Sequence, residues 1–394
     1  MKPKRTVYLD NAATTKLDPR VLEAMVPAMA SAYGNASSLH AAGRSARKLV
    51  EGARSELARA FSCDPGEVLF TGCGSEADNL AVLGAARAAA GRGRHVVTTA
   101  IEHSAVLQAC ARLEQEGFQV TRVPPDLSGH VSPAAIRAAM TPATVLVSVM
   151  AVNNEVGTLQ PLAGIGQVVA ERSALFHVDA VQAAGKVPLR PAEWGAHLVA
   201  LSAHKLHGPK GVGALYLRRG TPLIPLAFGG EHEFGLRPGT ENVSGIVGFA
   251  EAMRIAEAER EAAVARVRAL RDRLEAGIRA RVPDVVFNGG EPRVPHVLNV
   301  SFPGAEGEAI LLGLDGRGVC VSTGSACSAH SARPSHVLLA MGRSHALAQG
   351  SIRFSLGRET SEEEIDFALD AVVETVDRLR KMSPLYEAPP CPPS

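Results

Sequence analysis

The sequence predicts an α/β protein, in which a helix-covered, mostly parallel sheet is followed by a smaller α+β domain. Three observations carry this reading. Over the first 220 residues, short apolar runs alternate with helix-length segments, the pattern of a parallel sheet with helices on its faces. The runs are nearly continuous in apolar residues, as strands buried on both faces are. From about Val243 the texture changes to a long Ala-, Glu-, Arg- and Leu-rich stretch, after which shorter runs follow.

In chain order, strands are expected at Glu67–Thr71, His95–Thr99, Thr144–Met150, Leu175–Val178, Leu198–Leu201 and Gly213–Leu217. Helices are expected between them at Glu76–Ala90, Ser104–Glu116 and Leu162–Arg172. The helical period of Glu251–Arg281 predicts one long helix, or two, linking the sheet domain to a second one, with its charges forming a solvated face. Beyond it, strands are expected at Val297–Ser301 and Ser351–Ser355, and helices near Glu306–Leu314, Pro334–Met341 and Ser361–Arg380.

Composition excludes several classes. The 394 residues suit two or three domains. Lys and Arg number 41 against 40 Asp and Glu, so the net charge of +1 argues against a nucleic-acid or anionic-membrane surface as the main function. Aromatic residues at 4% are too few for base-stacking platforms. No apolar run reaches about 18 residues, so no transmembrane helix is expected. Met1–Asp10 has no apolar core of a signal peptide. Six cysteines without a C-x-x-C pair point to neither a disulfide scaffold nor a metal site, and to a reducing, cytoplasmic setting with free thiols.

In parallel sheets, ligands bind beyond the carboxyl ends of the strands, so chemistry is sought in the segments that follow them. Thr71–Ala77 (T-G-C-G-S-E-A) leaves a strand and opens a helix, a phosphate cradle built on Gly74 and Ser75, with Ser75 also a candidate N-cap. It equally matches a dinucleotide fingerprint, or a plain capped turn. Asp179 closes a buried run, and Lys205 follows another among small and polar residues. A lysine of lowered pKa forms Schiff bases. An acid facing a pyridinium nitrogen keeps that ring an electron sink. Phosphate cradle, acid and lysine together are what pyridoxal phosphate requires. His103 is either a helix cap or a proton carrier. Asn154 is either turn chemistry or a hydrogen-bond donor to a cofactor. Cys327 sits in a small-residue run, Ser322–Ser331, where a thiol is accessible and reactive. Arg353 shares a strand face with Ser351 and Ser355, and is either an exposed strand residue or a bidentate site for a carboxylate.

Together these segments resemble the cysteine desulfurases of the NifS/IscS group, pyridoxal-phosphate enzymes of the class V aminotransferase family and fold-type I. The matching stretches are Tyr8–Thr15, Gly34–His40, Glu102–Leu107, Asn153–Gly157, His177–Gln182, Ser202–Gly211, Arg237–Asn242, Gly324–Ser328 and Ser351–Arg358. The resemblance implies a large domain with a mostly parallel seven-stranded sheet over residues 13–256, and a small domain from 1–12 and 257–394 carrying the catalytic cysteine loop. It implies Lys205 as the Schiff-base lysine, Asp179 against the pyridinium nitrogen, and Asn154 and Gln182 at the phenolic oxygen. His103 would stack on the ring and move protons. Gly74, Ser75, Ser202 and His204 would hold the phosphate, joined by Thr240 from a second subunit of a homodimer. Arg353, helped by Asn154, would bind the carboxylate of L-cysteine. Cys327 would take the sulfur as a persulfide and pass it to an acceptor protein, an iron–sulfur scaffold or another. The chain departs from the family pattern at Ser75, where Thr is usual, at Ala36, where Pro is usual, and at Arg333, where Glu is usual. Three rival readings are a selenocysteine lyase, a nicotinamide-dependent dehydrogenase using Gly72–Ala77 with Glu102, and a non-enzymatic assembly scaffold.

Overall fold

The computed structural model describes residues 5–323, 334–383 and 386; Cys327 lies outside them. The strands are β1 (Val7–Tyr8), β2 (Val68–Thr71), β3 (His95–Thr99), β4 (Gln119–Val123), β5 (Thr144–Ser148), β6 (Leu175–Asp179), β7 (Leu198–Ser202), β8 (Gly213–Leu217), β9 (Val286–Asn288), β10 (Val297–Ser301), β11 (Val319–Cys320) and β12 (Ser351–Ser355). Seven of them form one sheet in the order β2-β8-β7-β6-β5-β3-β4. The run β7-β6-β5-β3-β4 pairs parallel, and β8 alone runs against both its neighbours. β2, β3, β5, β6 and β7 are buried along their whole length, which is why they read as unbroken apolar runs. β4 has no counterpart among the expected strands: it is the edge of the sheet, only its Val123 is buried, and its Gln119, Thr121 and Arg122 break the apolar run.

The expected helix after β2 begins two residues early and changes pitch. It runs as an α-helix over Gly74–Asn79, widens to a π-helical turn over Leu80–Gly84 and returns to α over Ala85–Ala88. Gly84 allows this face to come close to its neighbour, because a Cβ there would sit 2.6 Å from the Ile224 carbonyl oxygen. Two helices without a sequence-level expectation, Pro19–Ser31 and Ala41–Phe61, pack against the long helix.

The long helix is single, Val243–Arg281, and joins two hydrophobic cores. Its Ile246, Phe249 and Met253 belong to the core of the large sheet, while Val267, Leu270, Leu274 and Ile278 belong to a second core. At 39 residues it is roughly 58 Å long. Strong helix formers sustain it, and Pro283 just past Val282 stops it. The second core is closed by the antiparallel sheet β12-β10-β9, the short parallel pair β1-β11, and the helices Gly307–Asp315 and Glu362–Met382. Ser361 and Glu364 form a capping box on the last of these. The chain's first strand thus returns to the second core, and Asp10 bridges to Ser355 at its border with the large sheet.

Candidate active site

The carboxyl ends of five strands of the large sheet open on one cleft. Gly74 and Ser75 follow β2, His103 follows β3, Asn154 follows β5, Asp179 ends β6, and Ser202, His204 and Lys205 follow or end β7. All of these line the same space of about 1060 Å³, and Gln182 and Arg353 line it too. Arg353 enters from β12, so the small sheet forms the facing wall.

Lys205 sits in a 3-10 turn, Ala203–Lys205, directly after β7. Its Nζ donates to the carbonyl oxygens of Ala12 and Ala13, each at 2.7 Å. Asp179 is 5% exposed, and its Oδ1 accepts from the Val181 N–H at 2.9 Å. Burial pushes its carboxyl up, against the opposing pull of His103, the Val181 N–H and Lys205. A buried acid in this state is matched by a cationic group placed beside it. His103 caps the helix Ser104–Gln115, its Nδ1 accepting from the Ala105 N–H. His204 is held neutral, at about 4, by burial and by the charges of Lys205, Lys210 and Lys186; its Nδ1 lies 3.1 Å from Thr14 Oγ1. Gln182 donates its Nε2 to the Ala12 carbonyl oxygen.

The anion end of the cleft is built from small groups. Cys73, not Ser75, is the N-cap of the helix, its Sγ accepting from the Glu76 N–H, and Ser75 lies inside the first turn. The first N–H groups of that turn have no partner within the helix. A Cβ on Gly74 would stand 2.8 Å from Val181 Cγ2 and 3.2 Å from Ser202 Cβ, so only glycine leaves the backbone open here. Ser202 Oγ is buried without a hydrogen-bond partner among the described residues. These observations fit a phosphate with a pyridine ring reaching to Asp179.

Arg353 is 2% exposed, which removes the reading of an exposed strand arginine. Its Nη1 donates to the Asn154 carbonyl oxygen and its Nη2 to Asp10 Oδ1, each at 2.9 Å, and its Nε has no partner among the described residues. Thr240 is exposed and does not line the cleft. Among the described residues no cluster of His, Cys, Asp and Glu could hold a metal, and no helix is long and apolar enough to cross a membrane.

The chain matches the class-V aminotransferase family over residues 7–367. It belongs to that family. This class-V aminotransferase is 48% identical over 389 residues to a protein named cysteine desulfurase IscS from Anaeromyxobacter dehalogenans strain 2CP-C, with 98% of this chain and 96% of the relative covered. It is 44% identical over 382 residues to the cysteine desulfurase IscS of Dictyoglomus turgidum, 97% of each covered. Among solved structures it resembles a NifS-like protein at 40% identity and a TM-score of 0.89, covering 95% of this chain and all of that one. It also resembles DndA from Streptomyces lividans at 40% identity and a TM-score of 0.75, covering 88% and 99%.

Sequence alone leaves the setting of three acids of this class-V aminotransferase unassigned, one lining the cleft and two outside its lining. Asp78 stands one helical turn past Gly74 on the same face, with Oδ1 3.4 Å from the buried His177 Nε2. Burial foremost, then Asp179, Glu102 and Cys73, push the Asp78 carboxyl well up, and burial holds the His177 imidazole neutral, at about 3. The i, i+4 spacing from Gly74 is the available signal. Asp10 lies inside the matching stretch Tyr8–Thr15, but nothing local pairs it with Arg353. Glu102, the acid of the dehydrogenase reading, is fully buried; its Oε1 accepts from Thr99 Oγ1 and the Met150 N–H, so it does not face the cleft.

Proposed function

We propose that this chain is a pyridoxal-phosphate-dependent cysteine desulfurase, converting L-cysteine to L-alanine and taking the sulfur onto Cys327 as a persulfide for an acceptor protein, an iron–sulfur scaffold or another. The observation that carries the reading is the convergence of Lys205, Asp179 and Arg353 on one cleft, Asp179 from the end of β6, Lys205 from the turn after β7 and Arg353 from the middle of β12. The near full-length likeness to proteins named cysteine desulfurase supports it.

Bound in the cleft, pyridoxal phosphate supplies an electron sink for the bond electrons at the substrate α-carbon. Asp179 would hold the ring nitrogen's proton, and Gly74, Ser75, Ser202 and His204 would carry the phosphate. Lys205 would anchor the cofactor and, once released by substrate, take the α-proton. Arg353 would orient the substrate carboxylate through its guanidinium, itself held by Asp10 and the Asn154 carbonyl. His103 would exchange protons with the substrate. The Cys327 thiolate attacks the substrate sulfur: an S–S bond forms, the Cβ–S bond breaks with its electrons on carbon, and Cβ is protonated on the way to alanine. Thr240 is exposed and does not line its own cleft, which supports its use at the phosphate of a second copy in a homodimer. The working unit would then be two chains, each with residues 13–256 as the cofactor domain, in a reducing cytoplasm that keeps Cys327 a thiol.

The test is the visible spectrum of the purified protein before and after L-cysteine, with alanine and protein-bound sulfur measured together. A cofactor band that shifts with L-cysteine, equimolar early alanine and persulfide, and turnover of cysteine above selenocysteine are expected. A spectrum without a cofactor band would remove the reading.

A further inference from the structure

A second cavity, of about 630 Å³, shares Lys205 with the cleft and is otherwise lined by different residues. It lies where the large sheet, the long helix and the small sheet meet, a place typical of small-molecule sites. Ala256, Val264 and Val267 of the long helix give it an apolar wall. Its polar groups are lopsided. Lys186 donates to the Lys205 carbonyl oxygen at 2.6 Å, and burial together with the Lys205 charge pulls its ammonium down to about 7. His296 is 5% exposed, and neither ring nitrogen has a hydrogen-bond partner among the described residues. Burial foremost, then the charges of Lys186, Arg353, Arg271 and Lys205, keep its imidazole neutral. The carboxylate in the lining, Glu259, is already engaged by Arg20 and Arg358.

A buried imidazole without a partner is costly, and a buried ammonium is stabilised by an anion beside it. The apolar wall disfavours a heavily hydrated ion such as phosphate. We propose that this cavity binds a small carboxylic acid with a short apolar body, its carboxylate between Lys186 and His296 and its body along the Ala256–Val267 face of the long helix. Because Lys186 also holds the Lys205 carbonyl, such a ligand acts on the turn that carries Lys205. This site does not depend on the desulfurase reading.

Calorimetric titration of the full-length holoenzyme tests it, with hexanoate, acetate and hexylamine as probes. Hexanoate is expected to bind once per chain, at least tenfold tighter than acetate, with no binding of hexylamine. Lys186→Met, and Ala263→Phe, which fills the cavity from the helix face, should each weaken hexanoate at least tenfold while the melting temperature holds. Arg353→Met, which removes the guanidinium of the cleft, should leave hexanoate binding unchanged. No saturable hexanoate binding would overturn the proposal. So would binding that disappears in Arg353→Met and persists in Lys186→Met, since the acid would then sit in the cleft.

Discussion

Arg353 Nη2 donates to Asp10 Oδ1 at 2.9 Å, joining residues 343 positions apart. With Nη1 on the Asn154 carbonyl oxygen, the guanidinium is fixed before any substrate arrives. Asp10 therefore acts as a positioning residue. Arg353→Lys keeps the charge but loses the planar fork. A charge-assisted hydrogen bond is worth about 1.5–3 kcal/mol, so KM for L-cysteine should rise about 10- to 150-fold, with the cofactor spectrum unchanged. Asp10→Asn, which keeps an acceptor, should raise KM by less than about tenfold. Steady-state kinetics separates the two, and an unchanged KM in Arg353→Lys would remove the carboxylate role.

Lys205→Ala should lower turnover at least about 10³-fold, because the same amine anchors the cofactor and moves the α-proton. The fold makes Lys186 the rival to be excluded, since its ammonium is drawn down to about 7 and lies against the Lys205 carbonyl. Borohydride reduction followed by peptide mapping should place the cofactor on Lys205. Label on Lys186 or Lys210 would reassign the anchor.

Cys327→Ser should keep the cofactor band and its response to L-cysteine, and lose both persulfide and most alanine. Cys73 is the thiol that lines the cleft among the described residues, yet its Sγ is engaged as the N-cap of the helix Gly74–Asn79. Burial pushes the Cys63 and Cys110 thiols up to about 12, far from a reactive thiolate. Cys73→Ser should therefore retain the persulfide. Mass spectrometry of the intact proteins after L-cysteine decides, and sulfur remaining on Cys327→Ser at the native rate would sink the assignment.

Glu102→Gln should change how stability depends on pH. Burial raises the Glu102 carboxyl from 4.5 to about 8. The folded chain thus keeps a proton that the unfolded chain releases, and wild-type stability falls as pH climbs through this window, by at most about 1.4 kcal/mol per unit. The amide introduced by Glu102→Gln offers the same acceptor oxygen to Thr99 and the Met150 N–H without titrating. The melting temperature of Glu102→Gln relative to wild type should rise from pH 5 toward about pH 8 and level off above it. His177, depressed to about 3, destabilises both proteins equally as pH falls below 6.5, so the difference isolates Glu102. A difference that is flat with pH would mean Glu102 is ionised in the fold.

What the sequence by itself determined is what is local. Strands buried on both faces must be apolar throughout, so β2, β3, β5, β6, β7 and β8 were legible at nearly their true bounds. The small-residue turns that close β2 and β7 announced where a backbone could approach a ligand. β4 escaped because an edge strand is solvated on one side and need not be apolar. Pro19–Ser31 and Ala41–Phe61 had no expectation, although Ala41–Phe61 buries Ala46, Val50, Ala53, Leu57 and Phe61 at helical spacing; both pack against the long helix. Only the tertiary structure decided which local features meet. The pairing of Arg353 with Asp10, the capping of the first turn by Cys73 in place of Ser75, the burial of Glu102 against Thr99 and the Met150 N–H, and the neighbourhood of Lys186 and His296 all join segments or orientations that no local period encodes. Hydrophobic patterning specifies which face of each element turns inward. The polar contacts made afterwards depend on where the folded chain brings groups distant in sequence, and those positions follow from packing.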